Sequence, residues 1–248
     1  MSEQPSGCRE QDPGHSGYAV GMADWTPNGV PSDLVQFRER EDRLKYLART
    51  FGPLLHGRVL DVGCDARHLK RLLPQLDYVG IDIAGDPDMV IDLEKVPSLP
   101  FGDREFDLVI CSEVLEHLDN LHHTFGELVR VARSRLLVSL PNCWAAARLP
   151  LRRGIGSIGH YGLPPLRPQD RHKWFFSASE AIAFGQAQAA RHGLRLVEAR
   201  ACERPRPGLL RALRRVAHPS RERYLNRYAH TLWMSFERAE ARAPVTAP

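Results

Sequence analysis

Carboxylates stand at the ends of four short apolar runs, and their spacing suits a nucleoside ligand. Asp61 closes RVLDVG, Asp82 closes YVGIDI, Asp92 follows in VIDLEKVPSLPF, and Glu113 with Glu116 follows FDLVICS. In an open α/β sheet, ligands sit beyond the carboxyl ends of the strands, near the point where strand order reverses. One acid at such a place is ordinarily a cap or a solvated loop residue, whereas four in register point to a ligand. An acid about 20 residues past a glycine loop can accept hydrogen bonds from both ribose hydroxyls. That role falls to Asp82, while Asp92 could accept from an exocyclic amine as Leu93 or Ile83 packs on the ring.

The glycine loop, in VLDVGCDARHLKRLL, is unusual. A dinucleotide site needs several glycines because its pyrophosphate must approach the backbone and a helix N-terminus closely. Here Gly63 stands alone, with Asp65 and Arg67 where further glycines would fall. Asp65 is poor beside a pyrophosphate and acceptable beside a cationic ligand. Arg67 either faces solvent or pairs with a ligand carboxylate.

The elements that must position these residues alternate along the chain. RVLDVG, DYVGIDI, FDLVICSE and RLLVSLP read as strands, RHLKRLLPQL and residues 122–132 as helices, and Met89 to Leu93 as a strand or an extended loop. Short apolar runs separated by helical stretches indicate βαβ units and a largely parallel, doubly wound α/β sheet. Apolar spacing after a Ser-Asp start predicts one amphipathic helix from Pro31 to Arg49. Residues 142–177 lose periodicity and read as a lid-like insert. Residues 178–192 read as an Ala-rich helix, and LRLVEARACE as a closing strand. The expected organisation is a mobile segment over 1–30, in which Tyr18 and Trp25 touch the body, a domain over 31–200, and a basic extension over 201–248. The extension holds short amphipathic helices or a strand near Thr231 to Phe236, and its last residues, APVTAP, are expected to fray.

At these residues the chain resembles the class I S-adenosylmethionine-dependent methyltransferases, particularly small bacterial ones. The resemblance runs from about residue 58 to 141, extends more loosely to 198, and is most specific in LPFGDREFDLVICSEVLEHL. It implies a Rossmann-like, mostly parallel seven-stranded sheet with S-adenosyl-L-methionine as cofactor. It also implies that Asp61 and Gly63, with Cys64 beside them, line the methionine part, that Asp82 holds the ribose, and that Asp92 with Leu93 or Ile83 meets the adenine. Cys111, Ser112 and Glu113 would form the cofactor-facing strand end. This cofactor carries no phosphate, so one glycine suffices for the turn.

Methyl transfer from a sulfonium is an in-line displacement, and alignment of nucleophile and methyl carbon is worth up to roughly 7 to 11 kcal/mol in well-oriented systems. A hydroxyl or carbon acceptor also needs a base, His or carboxylate, within hydrogen-bond reach. The candidates are His117, which also suits a structural role in SEVLEHL, and the group His160, Asp170 and His172 in the insert. One of the insert's residues is the preferred base. The insert GHYGLPPLRPQDRHKWFFS resembles segments of polysaccharide and glycoconjugate methyltransferases. Its aromatic residues Tyr161, Trp174 and Phe175 suit stacking on sugar rings, while Phe176 is equally a core residue. The expected activity is O-methylation of a sugar or other small hydroxylated acceptor. A quinone, lipid or nitrogen acceptor is the enzymatic alternative. CSEVLEHL stands where N6-adenine transferases carry an Asn- or Asp-Pro-Pro-Tyr segment, which argues against nucleic acid as substrate.

A chain of 248 residues with formal charge +4 accommodates one sizeable domain with extensions. Arginines crowd residues 200–227. The segment 204–227 could contact a membrane surface or an acidic partner, and a catalytically inactive module acting that way is the non-enzymatic alternative. The simpler account docks Leu209, Leu210, Leu213 and Val216 on the sheet. The five cysteines lack metal-ligand spacing, so neither a metal site nor a disulfide framework is expected. No apolar run approaches the span of a bilayer and no signal-peptide core opens the chain, which suggests a cytoplasmic protein.

Overall fold

The computed structural model describes residues 29–168 and 170–239. The expectations for residues 1–28, including Tyr18 and Trp25, and for the final APVTAP lie outside the described residues. An eight-stranded sheet in the order β1-β7-β8-β6-β5-β2-β3-β4 forms the centre. Its strands are β1 Ser32–Leu34, β2 Arg58–Val62, β3 Asp77–Asp82, β4 Met89–Val90, β5 Phe106–Ser112, β6 Ala132–Pro141, β7 Leu194–Glu203 and β8 Ala229–Arg238. All pairings are parallel except those of β8, which runs antiparallel to both β6 and β7.

Alternation along the strands feeds two apolar layers. On one face Leu60, Val62, Val109, Val138, Met234 and Phe236 pack with helices α3 Leu121–Val131 and α5 Ala178–Arg191. On the other, Val59, Leu108, Ile110, Leu137 and Trp233 pack with Tyr46 and Leu47 of α1 Arg40–Thr50 and Leu69 of α2 His68–Leu72. Burial on both faces is what a mostly parallel sheet requires. Helix α5 starts at a capping box in which the side chains of Ser177 and Glu180 accept each other's backbone N–H. A Cβ on its Gly185 would stand 2.6 Å from the Met234 sulfur, so this glycine sets how closely α5 lies on β8.

Three expectations change. The helix predicted from Pro31 begins only at Arg40, and residues 32–34 instead form an edge strand on β7. The Asp42 carboxylate accepts the N–H groups of Arg38 and Glu39 and starts the helix there. The insert is not wholly irregular, because Cys143–Arg153 form α4. Pro150 reads as a breaker in the sequence, yet Asn142 caps the helix start and donates from Nδ2 to the carbonyls of Leu225, Asn226 and Ala229. Finally, the residues after Glu203 do not form a separable extension. Helices α6 Gly208–Ala217 and α7 Arg221–Tyr228 lead into β8, which fills the gap between β6 and β7.

Helix α6 also departs from the simpler sequence account. None of its residues is buried, and Leu209, Leu213 and Val216 are 76%, 58% and 80% exposed. Among the described residues no helix is long and apolar enough to cross a membrane.

Trp233 and its β8 neighbours are fully buried between two strands, so removing β8 opens both apolar layers. A chain ending at Glu203 is expected to lose its cooperative urea transition and near-ultraviolet dichroism. Retention of a cooperative transition by this truncation would contradict the role assigned to β8.

Candidate functional site

Sequence order reverses direction between β2 and β5, the switch point at which open α/β sheets bind ligands. A cleft of about 1200 Å³ opens at the carboxyl ends of these strands. It is lined by Asp61, Gly63, Cys64, Asp82, Ile83, Asp92 and Leu93 from the strand ends, and by Ser112 and Glu113 after β5. Of the ten expected cofactor residues, Cys111 alone does not line the cleft. It is fully buried in the core, in register between Val62 and Val138, because side chains alternate faces along β5.

The β2–α2 loop is built by its neighbours. Gly63 adopts φ +81°, and a Cβ there would stand 2.2 Å from Cγ2 of Val114, inside any allowed contact. Asp65 and Arg67 follow at φ 50° and 53°, a left-handed conformation that costs a non-glycine residue about 1–2 kcal/mol. Hydrogen bonds compensate. Asp82 Oδ2 accepts from the Asp65 N–H at 2.8 Å, and Asp82 Oδ1 accepts from the N–H groups of Ile83 and Ala84. The Asp65 carbonyl accepts from the Asp86 N–H at 2.9 Å. The alternatives for Arg67 resolve differently from expectation: its guanidinium pairs with Asp86 and Asp88, at 2.6 and 2.7 Å, and pins the β3–β4 loop.

The remaining strand-end acids have distinct partners. Asp61 is buried and accepts from the Tyr78 hydroxyl at 2.8 Å. Burial is the main cause that raises its carboxyl to about 6, with the charge of Asp82 acting in the same direction. Asp92 pairs with Lys95 at 2.8 Å, which lowers its pKa, and accepts from the Glu94 N–H. Glu113, at φ 53°, accepts from Arg43 and from the Thr231 hydroxyl, while the Ser112 hydroxyl bonds that of Ser139.

On the other side of the cleft the chain brings together all four expected acid–base candidates. His117 Nδ1 lies 3.1 Å from Asp170 Oδ1, and His160 Nδ1 lies 3.5 Å from Asp170 Oδ2. The His160 and His172 rings stack at 4.2 Å, and His117 meets His172 edge-on at 4.6 Å. Tyr161 donates its hydroxyl proton to the Trp174 carbonyl, so the 3.0 Å contact from His172 Nδ1 is a donation from the ring. His172 Nε2 is therefore the nitrogen with a free lone pair. Burial, reinforced by His117 and His160, lowers this imidazole to about 4, which keeps it neutral at pH 7. Of the aromatic residues expected to meet an acceptor, Tyr161 lines the cleft. The Trp174 indole N–H is held by the Leu118 carbonyl, Phe175 packs edge-on against Tyr161, and Phe176 packs on the core.

Two features of the cleft escape the sequence reading. Glu116 is 1% exposed, and its carboxylate has no hydrogen-bond partner beyond its own backbone. Burial and the nearby charge of Glu113 push its pKa well up. Glu116, His117 and His172 offer ligand atoms within 4.8 Å of one another, as do His160, Asp170 and His172. In the first group His172 stands 55 positions after His117, so no spacing announces it. Glu113 is occupied by Arg43 and Thr231. The second feature is a group of five arginines, Arg148, Arg204, Arg206, Arg214 and Arg227, along the wall formed by α4, α6, α7 and the segment before α6.

Residues 35–198 match the model of a family described as a methyltransferase domain. No curated protein shows significant similarity to the chain. Among solved structures, an S-adenosylmethionine-dependent methyltransferase from Archaeoglobus fulgidus is similar at TM-score 0.54 and 20% identity, over 82% of this chain and 96% of that one. The small RNA methyltransferase HEN1 gives 0.53 and 16% identity over 84% of this chain and 26% of its own. The [4+2]-cyclase SpnF gives 0.51 and 15% identity over 80% and 81%. At these identities the structural likenesses speak for the fold.

The raised carboxyl of Asp61 sets a pH signature. The folded chain binds this proton more tightly than the unfolded chain, so the acid's ionisation removes stability as pH rises from about 4 through about 6. Asp61→Asn is expected to match wild type below pH 4 and to exceed it at pH 7 by on the order of 2 to 3 kcal/mol in urea unfolding. A gap that does not change between pH 4 and pH 7 would refute the assignment.

Proposed function

The chain belongs to the methyltransferase-domain family and has S-adenosylmethionine as its cofactor, and from that premise we propose that it methylates a hydroxyl oxygen of a sugar or other small hydroxylated acceptor. The observation that carries this reading is a single cleft shared by the strand-end acids and the imidazole cluster. A cofactor bound at the strand ends and an acceptor beside the histidines would then meet within one cleft.

In this reading Asp82 receives the ribose hydroxyls. Three backbone N–H groups already fix its carboxylate; Oδ1 takes two of them, and Oδ2, which takes one, keeps acceptor capacity for a ligand. Ile83, 62% exposed at the cleft, and Leu93, packed on the core, would border the adenine. Asp92 would accept the adenine amine with the oxygen capacity that Lys95 and the Glu94 N–H leave. Asp61, Gly63, Cys64, Ser112 and Glu113 would surround the methionine end, whose ammonium and sulfonium suit an acid-rich wall. The cofactor supplies the activated methyl group.

The residues of the chain supply orientation and a proton acceptor. The acceptor hydroxyl gives up its proton as its oxygen attacks the methyl carbon, and the electron pair of the broken bond stays on sulfur. His172, neutral and with Nε2 free, is the preferred base, and the proton can pass to His117 or His160 and their shared partner Asp170. Tyr161 orients His172 through the hydroxyl contact to Nδ1.

Calorimetric titration with S-adenosylhomocysteine tests the cofactor half directly. Wild type is expected to bind in the range of about 1 μM to 1 mM. Asp82→Ala is expected to weaken binding at least about tenfold, with circular dichroism reporting whether its loops remain folded. Equal binding by folded Asp82→Ala would remove the ribose role, and no binding by wild type would remove the methyl-transfer reading.

A further inference from the structure

We propose that the arginine wall of the cleft binds a phosphate or diphosphate group carried by the acceptor, an inference that rests on the methyl-transfer reading for the word acceptor alone. Elsewhere, arginines packed on the body have carboxylate partners: Arg43 with Glu113, Arg67 with Asp86 and Asp88, Arg130 with Glu127, Arg221 with Glu203. Arg148, Arg204, Arg206, Arg214 and Arg227 line the cleft, and among the described residues none of them is ion-paired. The Nε groups of Arg148 and Arg227 are buried without a hydrogen-bond partner. Arg148 and Arg214 are held over one ring, their guanidinium carbons 5.3 and 4.4 Å from the centre of Tyr228.

Such a grouping is unfavourable by itself. Burial, followed by the like charges of Arg227, Arg214 and Arg152, disfavours the charged form of Arg148. A dianionic or trianionic ligand relieves this repulsion and satisfies the unpaired donors at once. The planar guanidinium fork matches phosphate oxygens in two-point contacts, and stacking on Tyr228 limits the side-chain freedom lost on binding. Several uncompensated charges call for a phosphate or diphosphate in preference to a single carboxylate. The phosphate could be borne by a soluble molecule or by a lipid. Helix α6 carries Arg214 at the cleft and leaves Leu209, Leu213 and Val216 exposed beside it, a pattern that suits a lipid-borne group.

The test titrates inorganic pyrophosphate into the full chain and into Arg148→Gln/Arg227→Gln. Wild type is expected to bind and the double variant to bind at least about tenfold more weakly, since charge-assisted contacts are lost. The variant should melt no lower than wild type, because the substitutions relieve like-charge repulsion. Loss of binding accompanied by a lower melting temperature would indicate a structural role and overturn the proposal, as would equal pyrophosphate affinity in both proteins. Vesicles of phosphatidylglycerol, against phosphatidylcholine, separate the sources. Sedimentation with the anionic vesicles that pyrophosphate blocks supports a lipid-borne phosphate, and pyrophosphate binding without sedimentation supports a soluble one. Absence of S-adenosylhomocysteine binding would remove the methyl-transfer reading and leave the pyrophosphate result standing.

The buried carboxylate of Glu116 carries an independent inference: we infer that Glu116, His117 and His172 bind a divalent transition-metal ion. An unpaired carboxylate in a protein interior costs several kcal/mol unless a cation compensates it. Glu116 Oε1 lies 3.9 Å from His117 Nε2, a separation that one ion about 2.1 Å from each atom spans. His117 Nδ1 is 3.1 Å from the Arg171 carbonyl, which can only accept, so the proton sits on Nδ1 and Nε2 is free to ligate. Tyr161 fixes His172 in the same tautomer. Outer partners on the second ring nitrogen are what metal-binding histidines ordinarily have. Two imidazoles and one carboxylate suit zinc, manganese, iron or cobalt better than magnesium or calcium, and they leave positions open for an acceptor oxygen. A hydroxyl held there would lose its proton more readily, and with the ion bound the proton would go to His160 or Asp170, because His172 Nε2 is then a ligand and no longer a base.

Cobalt(II) titration followed by its visible absorption provides the readout without any substrate. One equivalent is expected to bind wild type, with Glu116→Gln, an isosteric change, weakening binding about 100-fold or more. Undiminished cobalt binding by Glu116→Gln, or none by folded wild type, would overturn the site. S-adenosylhomocysteine binding by the same variant is expected to persist.

Discussion

The carboxylate of Asp82 is the anchor on which the cleft depends. Its two oxygens collect the backbone N–H groups of Asp65, Ile83 and Ala84, and so tie the loop after β2 to the loop after β3. Once Asp65 is held there, its carbonyl takes the Asp86 N–H, and Arg67 reaches Asp86 and Asp88. Gly85 belongs to the same arrangement, because a Cβ on it would stand 2.6 to 2.7 Å from Asp65 atoms. Two non-glycine residues can therefore keep left-handed backbone in a loop with one glycine. The strain is carried by hydrogen bonds and ion pairs, not by conformational freedom.

Around that anchor the molecule buries ionisable groups without a full set of partners. Asp61 and Glu116 are buried with pKa values raised by desolvation, while Arg148 and Arg227 keep unpartnered Nε groups. Folding alone would not favour either arrangement, since each buried group loses hydration without a full set of partners. Acids and unpaired arginines line one cleft, separated by their elements: acids on β2, β3 and the turn after β5, arginines on α4, α6 and α7.

The second wall depends on the sheet having taken up its last strand. β8 runs antiparallel between β6 and β7 and buries Trp233, Met234 and Phe236. The Asn142 side chain then joins the start of α4 to the end of α7 through the carbonyls of Leu225, Asn226 and Ala229. Arg148 and Tyr228 are brought together by this junction. The C-terminal elements are thus part of both core and cleft.

The sequence by itself determined the alternating core and the acids at its strand ends, because a buried parallel strand must be written as a short apolar run and an acid at the cleft must follow it at once. Asp61, Asp82, Asp92 and Glu113 were legible for that reason, and so was the extent of α5. Cys111 was misplaced by one position of strand alternation, which side-chain pattern cannot settle when both faces are buried. The tertiary structure alone decided what lay far apart in the chain. It set His117 against Asp170 and His172, left Glu116 without a partner, turned Arg67 onto Asp86 and Asp88, and gathered arginines from α4, α6 and α7 on one wall. Those relations come from packing elements separated by tens of residues, and local spacing carries no record of them.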